Sequence, residues 1–167
     1  MKVISKQRNS RMCFICGMDN PIGLKAQFYN MEDGSVMTPF RMREDLQSFP
    51  ERTHGGITAT MLDELGLRAL WSDGKEDRFG VTTSINVKYR KPVRYDEDLI
   101  GKGKVIKETN LAITTRAEIF NKRGELLANA DVVYLKLPVE KINKNVDASH
   151  EMPYLIHDNV TEINFEN

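Results

Sequence analysis

The strongest constraint on the fold is the segment 55–70, which gives the only strong helix prediction in the chain. It is rich in Ala, Leu and Met and is long enough for about four turns. Its apolar residues are spread around much of the helix circumference: Ile57, Met61, Leu62, Leu65, Leu67 and Leu70. A helix that is apolar on most sides is buried on most sides. We therefore expect a central helix that the rest of the fold covers.

Strand patterns lie on both sides of this helix. Two short strands precede it and are joined at the turn signal Asp33-Gly34. Four candidates follow it, at residues 81–90, 98–106, 110–120 and 125–137, and the third alternates with a period of two. One helix inserted early into an antiparallel sheet predicts an α+β domain whose sheet packs over the helix.

Length and composition predict a single domain. The chain has 167 residues, 40% of them hydrophobic, and domains commonly run to about 100–200 residues. We expect a core at 13–137, a flexible, frayed N-terminal segment at 1–12 and a C-terminal extension at 138–167. The apolar residues 154–156 of that extension are expected to dock on the core.

The charge pattern argues against several classes of partner. With 24 basic and 24 acidic residues the net charge is zero, so no overall field attracts nucleic acid. There is no signal-peptide pattern and no uninterrupted apolar run of about 18 residues. We therefore expect no nucleic-acid partner, no membrane association and a cytoplasmic location.

Three segments carry a resemblance to a known family. His54-Gly55-Gly56, with the acidic Asp63 nine positions after the histidine, closely resembles the helix start of the phenylacetate-pathway (PaaI-like) hotdog-fold thioesterases. Residues 82–92 (TTSINVKYRKP) and 13–24 (CFICGMDNPIGL) are similar to the same family, in the same order. The resemblance covers about residues 13–137. It implies a hotdog fold, in which a curved antiparallel sheet wraps around one long central helix.

The resemblance also implies that acyl-coenzyme A (acyl-CoA) is the substrate class, and that two sheets pair edge to edge in a homodimer or a dimer of dimers. The predicted reaction is hydrolysis of an acyl-CoA thioester to the free acid and coenzyme A, without a cofactor. A non-catalytic acyl-CoA-binding protein is the main alternative. A hotdog enoyl-CoA hydratase, which would need a paired Asp and His, is a weaker one.

The helix start suggests how such a site would work. Free backbone N–H groups there stabilise negative charge on a carbonyl oxygen, so we predict Gly56 as the oxyanion donor and Gly55 as part of the substrate-binding surface. Asp63 shares a face with Gly56 and is predicted to be the nucleophile or general base, the alternative being a carboxylate hydrogen-bonded across an interface. Gly56 and Asp63 lie about 10 Å apart along the helix axis. One site would therefore combine Gly56 of one protomer with Asp63 of the other.

Other polar residues near the helix start are further candidates for the reaction. The resemblance implies that Thr82 orients the attacking water or the acidic residue, and Thr83 beside it is a second candidate for binding. His54 is a candidate base or, equally, a helix-capping residue. Glu64 is expected to be structural, because Arg68 follows it at i+4.

Binding residues are predicted on both sides of the helix start. The resemblance places Gln47 and Ser48 near the thioester carbonyl. A basic cluster, Lys88, Arg90, Lys91 and Arg94, is expected either to hold the phosphates of coenzyme A or to form a solvated strand edge.

The cysteines Cys13 and Cys16 need a separate interpretation. They would bind zinc only with two more ligands, and the chain has no second cysteine pair. We therefore expect no metal and two buried thiols that help the N-terminal segment pack, with a metal shared between protomers as the alternative.

Overall fold

A computed structural model of the chain describes residues 1–142, 144 and 148–166. The strands are β1 (Val3–Lys6), β2 (Tyr29–Met31), β3 (Val36–Phe40), β4 (Gln47–Phe49), β5 (Arg52–Thr53), β6 (Gly80–Tyr89), β7 (Leu99–Glu108), β8 (Ala112–Asn121) and β9 (Leu126–Lys136). The helices are α1 (Gly55–Arg68), α2 (Val139–Ile142) and α3 (Ala148–Glu151), with short 3-10 helices at Glu44–Leu46 and Ala69–Trp71. None of the described helices is long and apolar enough to cross a membrane.

Seven strands form one antiparallel sheet in the order β1-β2-β3-β7-β8-β9-β6, and β4 and β5 form a separate hairpin. The predicted hairpin is β2 and β3, with Gly34 in the left-handed conformation (φ 74°) at its turn. The four later strands occur where the sequence predicted them. The alternation of β8 is also confirmed, because its odd-numbered residues from 113 to 121 are buried.

Helix α1 packs on the sheet and forms the centre of the core. Met61, Leu62 and Leu65 have no exposed surface, and each such burial contributes roughly 1.5–3 kcal/mol. Gly103 of β7 allows the close approach, because a Cβ there would lie 2.3 Å from the carbonyl oxygen of Leu65. The prediction of a hotdog fold, with an antiparallel sheet around one long central helix, is confirmed.

The N-terminal segment differs from the expectation of a frayed end. Val3–Lys6 forms β1 at the edge of the sheet, and Gln7 is fully buried, where its side-chain amide donates to Asn30 Oδ1 (2.8 Å) and to the carbonyl oxygen of Arg68 (2.9 Å). The segment is ordered because these polar side chains are hydrogen-bonded inside the fold, which composition alone does not indicate.

The C-terminal extension docks on this N-terminal edge. Ile156 and Ile163 are buried against Tyr29 and Met31, and main-chain bridges join Asn9 to Tyr154 and Lys2 to Glu162. Of the three apolar residues expected to dock, only Ile156 is buried; Leu155 is half exposed and Tyr154 is 36% exposed.

Candidate active site

The start of α1 is capped by His54. Its Nδ1 accepts a hydrogen bond from the N–H of Gly56 at 3.0 Å. The N–H of Gly56 is therefore already satisfied, which does not fit the prediction that it is the oxyanion donor. Within the described residues, the N–H of Gly55 has no protein acceptor. The N–H of Ile57 likewise has no acceptor there, but Gly55, unlike Ile57, lines the groove beside the helix start. Gly55 is therefore the free donor next to that groove, and His54 holds the position of a cap, as its alternative interpretation predicted.

A groove opens beside Gly55, with a volume of about 340 Å³. Its residues come from the β4–β5 hairpin, the helix start and the end of β6: Ser48, Phe49, Arg52, Thr53, Gly55, Thr58, Tyr89, Arg90, Lys91, Pro92 and Val93. The Tyr89 hydroxyl donates to the carbonyl oxygen of Gly55 at 2.8 Å. Three cations, Arg52, Arg90 and Lys91, thus lie on the same groove as the free N–H.

The predicted binding residues divide between this groove and its surroundings. Ser48, Arg90 and Lys91 line the groove, whereas Gln47 and Thr83 do not. Arg90 donates to Asn129 Oδ1 at 2.8 Å, and Lys91 pairs with Glu125.

The two outer members of the basic cluster do not line the groove. Arg94 is held by Glu51 and Asp96, and Lys88 is exposed on β6.

The acidic residue of α1, Asp63, is held by two hydroxyls. Thr82 Oγ1 donates to Asp63 Oδ1 at 2.9 Å, and Tyr134 Oη donates to the carbonyl oxygen of Asp63 at 2.6 Å and approaches Oδ1 at 3.3 Å. Within the described residues Oδ2 has no hydrogen-bond partner. Burial raises the pKa of Asp63, while the hydrogen bonds from Thr82 and Tyr134 oppose that increase. The result is a partly desolvated carboxylate with one oxygen free to take a proton.

Tyr134 was not recognised in the sequence. It is 1% exposed and lies on β9. Gly66, one helical turn after Asp63, makes room for it, since a Cβ at Gly66 would lie 2.5 Å from Tyr134 Oη. A glycine inside a predicted helix was the available signal, because it marks a close approach of another group.

A β-bulge at Thr83 sets which hydroxyl reaches the acid. The register of β6 against β9 shifts between Thr82 and Ser84, so both Thr82 and Tyr89, seven positions apart, face α1. The Thr83 hydroxyl instead donates to the carbonyl oxygen of Val133 at 3.0 Å. Thr82 is therefore the residue beside Asp63, and the prediction that Thr83 binds substrate does not fit its position.

Glu64 points away from this site. Its Oε1 pairs with Arg68 Nε at 2.8 Å, as the i+4 spacing predicted. Arg68 is 1% exposed and stacks on Phe28 and Trp71. The second oxygen of Glu64 faces Cys13, in a cluster that is distinct from Asp63 and Thr82.

The fold and the site geometry agree with the comparisons with known proteins, which point to thioesterases. The fold and site define a hotdog-fold protein with a carboxylate and a helix-start N–H at one sheet edge. The family model of the thioesterase superfamily matches residues 52–128. This match covers the central part of the chain and agrees with the resemblance found in the sequence.

Three individual proteins with thioesterase names are similar to this chain. Human acyl-coenzyme A thioesterase 13 is 28% identical over 96 residues, covering 57% of this chain and 68% of that protein. A crystal structure of a thioesterase superfamily protein superposes with a TM-score of 0.68 at 25% identity; the match covers 74% of this chain and 63% of that chain. A hypothetical thioesterase from Streptococcus pneumoniae, solved with coenzyme A, shares the fold with a TM-score of 0.61 at 20% identity, over 68% of this chain and 89% of that one.

Proposed function

We propose that this chain hydrolyses an acyl-CoA thioester, with Asp63 as the general base that activates the attacking water. The observation that carries the proposal is the Asp63 carboxylate, which is partly buried and hydrogen-bonded to Thr82 on one oxygen. The other oxygen has no partner in the described chain. A carboxylate held in this way can accept a proton from water as the water attacks the thioester. The names of the relatives support acyl-CoA as the substrate.

The second requirement of the reaction is a donor for the developing oxyanion. The N–H of Gly55 meets it, because it is unsatisfied and lies at the positive end of the α1 dipole. The carbonyl oxygen of the thioester would accept from this N–H, and coenzyme A would leave as the thiolate and take up the proton that Asp63 accepted from the attacking water. The cations Arg52, Arg90 and Lys91 lie on the same groove, where they would attract the phosphates of coenzyme A.

Gly55 and Asp63 of one chain cannot serve the same thioester. They are eight residues apart on α1, which is about 12 Å along the axis. We propose that a second copy of the chain completes the site, and that the homodimer is formed through β6. This strand is the end of the seven-stranded sheet, and most of its residues are exposed, including Ile85 and Tyr89. A ten-residue open edge is a template for pairing with another strand.

The bulge at Thr83 restricts how two β6 strands can pair. Directly opposed residues in an antiparallel pair point to the same face of the sheet, and side chains alternate between the two faces along each strand. A two-fold axis that relates two β6 strands must therefore lie between two copies of the same residue, and not between neighbouring positions. An axis through Asn86 pairs Ile85 with the partner's Val87, and, because Thr83 is bulged, Thr82 with the partner's Tyr89. Since Tyr89 contacts Gly55 and Thr82 contacts Asp63, this register brings Gly55 of each chain to Asp63 of the other. It yields two equivalent sites per dimer.

The test is a panel of acyl-CoA substrates of different chain length and aromatic character, with release of free thiol as the readout. We expect turnover of at least one member. A hydratase would instead consume an enoyl-CoA without releasing thiol, and a binding protein would retain acyl-CoA unchanged. Either outcome would overturn the proposal.

We also propose a cytoplasmic location. The two free thiols fit it, because the cytosol keeps cysteines reduced.

A further inference from the structure

A second group of reactive side chains lies on the other side of α1, between the helix and the N-terminal segment. The sulfur atoms of Cys13 and Cys16 and a carboxylate oxygen of Glu64 all lie within 4.8 Å of one another. Cys16 is 1% exposed, and the side chain of Glu64 is 13% exposed. The proposed hydrolysis uses none of the three.

We propose that Cys13, Cys16 and Glu64 bind one zinc ion, with a water molecule as the fourth ligand. Zinc prefers four tetrahedral ligands, at about 2.3 Å for sulfur and about 2.0 Å for a carboxylate oxygen, so a ligand sulfur and oxygen lie about 3.5 Å apart. The observed separation between Cys13 Sγ and Glu64 Oε2 is 3.7 Å. Two thiolate ligands favour a soft ion such as zinc over magnesium or calcium.

Hydrogen-bond donors surround the sulfurs of both cysteines. The N–H groups of Ile15 and Cys16 both point to Cys13 Sγ, at 3.4 and 3.5 Å. The Ser10 hydroxyl accepts from the N–H of Cys13 and lies 3.2 Å from Cys16 Sγ, to which it can donate. Donors directed at sulfur stabilise its negative charge.

A tight turn brings the two sulfurs together. The N–H of Gly17 donates to the carbonyl oxygen of Cys13 at 2.8 Å, and a Cβ at Gly17 would lie 2.3 Å from that same oxygen. Only glycine therefore fits after Cys16 in this turn.

The two carboxylate oxygens of Glu64 contact different partners. Arg68 binds Oε1 at 2.8 Å, which leaves Oε2 directed at the cysteines. Two thiolates, one carboxylate, one guanidinium and one divalent cation sum to zero charge, which is the condition under which a buried ionic cluster is tolerated. The sequence prediction of no metal overlooked this third ligand, which lies 51 residues away from Cys13.

The experiment measures zinc bound to the full chain with both thiols kept reduced. The chain is loaded with Zn²⁺, excess metal is removed by gel filtration, and the metal is quantified by mass spectrometry. We expect about one zinc per chain, loss of that zinc in Cys13→Ser and Cys16→Ser, and at least about tenfold weaker binding in Glu64→Gln. Glu44→Gln, the same change at an exposed carboxylate, should retain zinc. A reduced wild type that retains none, or a Cys13→Ser variant that retains it fully, overturns the proposal.

Cobalt substitution tests the same ligands in the wild type, so its result does not depend on whether the variants fold. Co²⁺ bound to the wild type should give thiolate-to-cobalt charge-transfer bands and the intense visible bands of a tetrahedral ion. Zinc at about 100 times its Kd should raise the Tm by roughly 5–10 °C. A pale octahedral cobalt spectrum without charge transfer would show that the sulfurs are not ligands and would refute the site.

Discussion

Thr82 and Asp63 meet across the sheet–helix interface, with Thr82 Oγ1 donating to Asp63 Oδ1 at 2.9 Å. The contact exists because the bulge at Thr83 turns Thr82 towards the helix. Without that extra residue, Thr82 would face away from α1 whenever Tyr89 faced it, since side chains alternate along a strand. One backbone irregularity thus aligns both halves of the proposed site on the same face.

Removing the Thr82 hydroxyl should slow hydrolysis and change its pH dependence. In Thr82→Val, Asp63 loses a hydrogen bond that lowers its pKa, so that pKa rises further. Because the base must be ionised, the acidic limb of the kcat/KM profile should move to higher pH, and kcat should fall about tenfold. Thr83→Val, whose hydroxyl binds only the carbonyl oxygen of Val133, is the matched control. An unchanged limb in Thr82→Val would remove Thr82 from the mechanism.

Deleting the N–H of Gly55 should reduce kcat without disturbing the helix. Proline is tolerated at the first position of a helix, and the preceding His54 has an extended backbone (φ −60°, ψ 135°) that is compatible with it. Gly55→Pro should lose roughly 10²–10³ in kcat, as for other oxyanion donors. Gly55→Ala keeps the N–H, and its Cβ would lie 3.5 Å from Tyr89, an ordinary contact. Equal losses in both variants would point to crowding, and a fully active Gly55→Pro would exclude this donor.

The proposed dimer register places Asn86 on a two-fold axis. Opposed residues of an antiparallel pair have Cα atoms about 4.5–5.5 Å apart, a distance that a disulfide spans. Asn86→Cys should therefore cross-link two copies under mild oxidation, as seen on a non-reducing gel. Lys88→Cys should not, because two copies of that residue would lie about 14 Å apart along the strands. The unmodified chain controls for Cys13 and Cys16, and cross-linking of Lys88→Cys in place of Asn86→Cys would refute the register.

Asp63 should limit stability at neutral pH. Burial raises its pKa in the folded chain, so the ionised carboxylate opposes folding at pH values above the ordinary aspartate pKa of about 3.9. This penalty is absent below that pH, where both states are protonated, and grows as the pH rises to the folded-state pKa. Asp63→Asn should therefore have a higher Tm than the wild type at pH 7, with the difference shrinking below about pH 4.

Asp33→Asn provides a control of opposite sign, measured by calorimetry at the same protein concentration. Burial of Asp33 alone would raise its pKa, but hydrogen bonds from Lys102 and Ser35 lower it to about 2. Ionised Asp33 therefore stabilises the fold above the ordinary aspartate pKa, and that contribution is lost as the pH falls towards 2. The variant should be less stable than the wild type at pH 7. A lower Tm for Asp63→Asn at pH 7 would contradict the predicted effect of burial.

Local patterns were enough to predict the main elements of the fold. The helix around Met61 and Leu62 and the alternation of β8 depend on residues close in sequence, so their periodicity is visible without the structure. The N-terminal strand β1 was missed for the opposite reason. Its order depends on Gln7 and on the docked C-terminal extension, which are contacts between distant parts of the chain.

The site was only partly predictable for a related physical reason. The resemblance pointed to Asp63 and Thr82, and the structure brings them together. Which glycine keeps a free N–H depends on the side-chain conformation of His54, and the contribution of Tyr134 depends on strand pairing and on the space left at Gly66. No spacing rule in the sequence describes either relationship.

The most direct test of the shared site is complementation between two inactive chains. Asp63→Asn and Gly55→Pro are co-expressed with different tags, and the mixed dimer is purified and assayed for thiol release from acyl-CoA. One of its two sites combines an intact Gly55 with an intact Asp63, so the mixed dimer should recover about half of the wild-type rate while each parent dimer stays inactive. A folded mixed dimer that releases no more thiol than its parents would contradict the account.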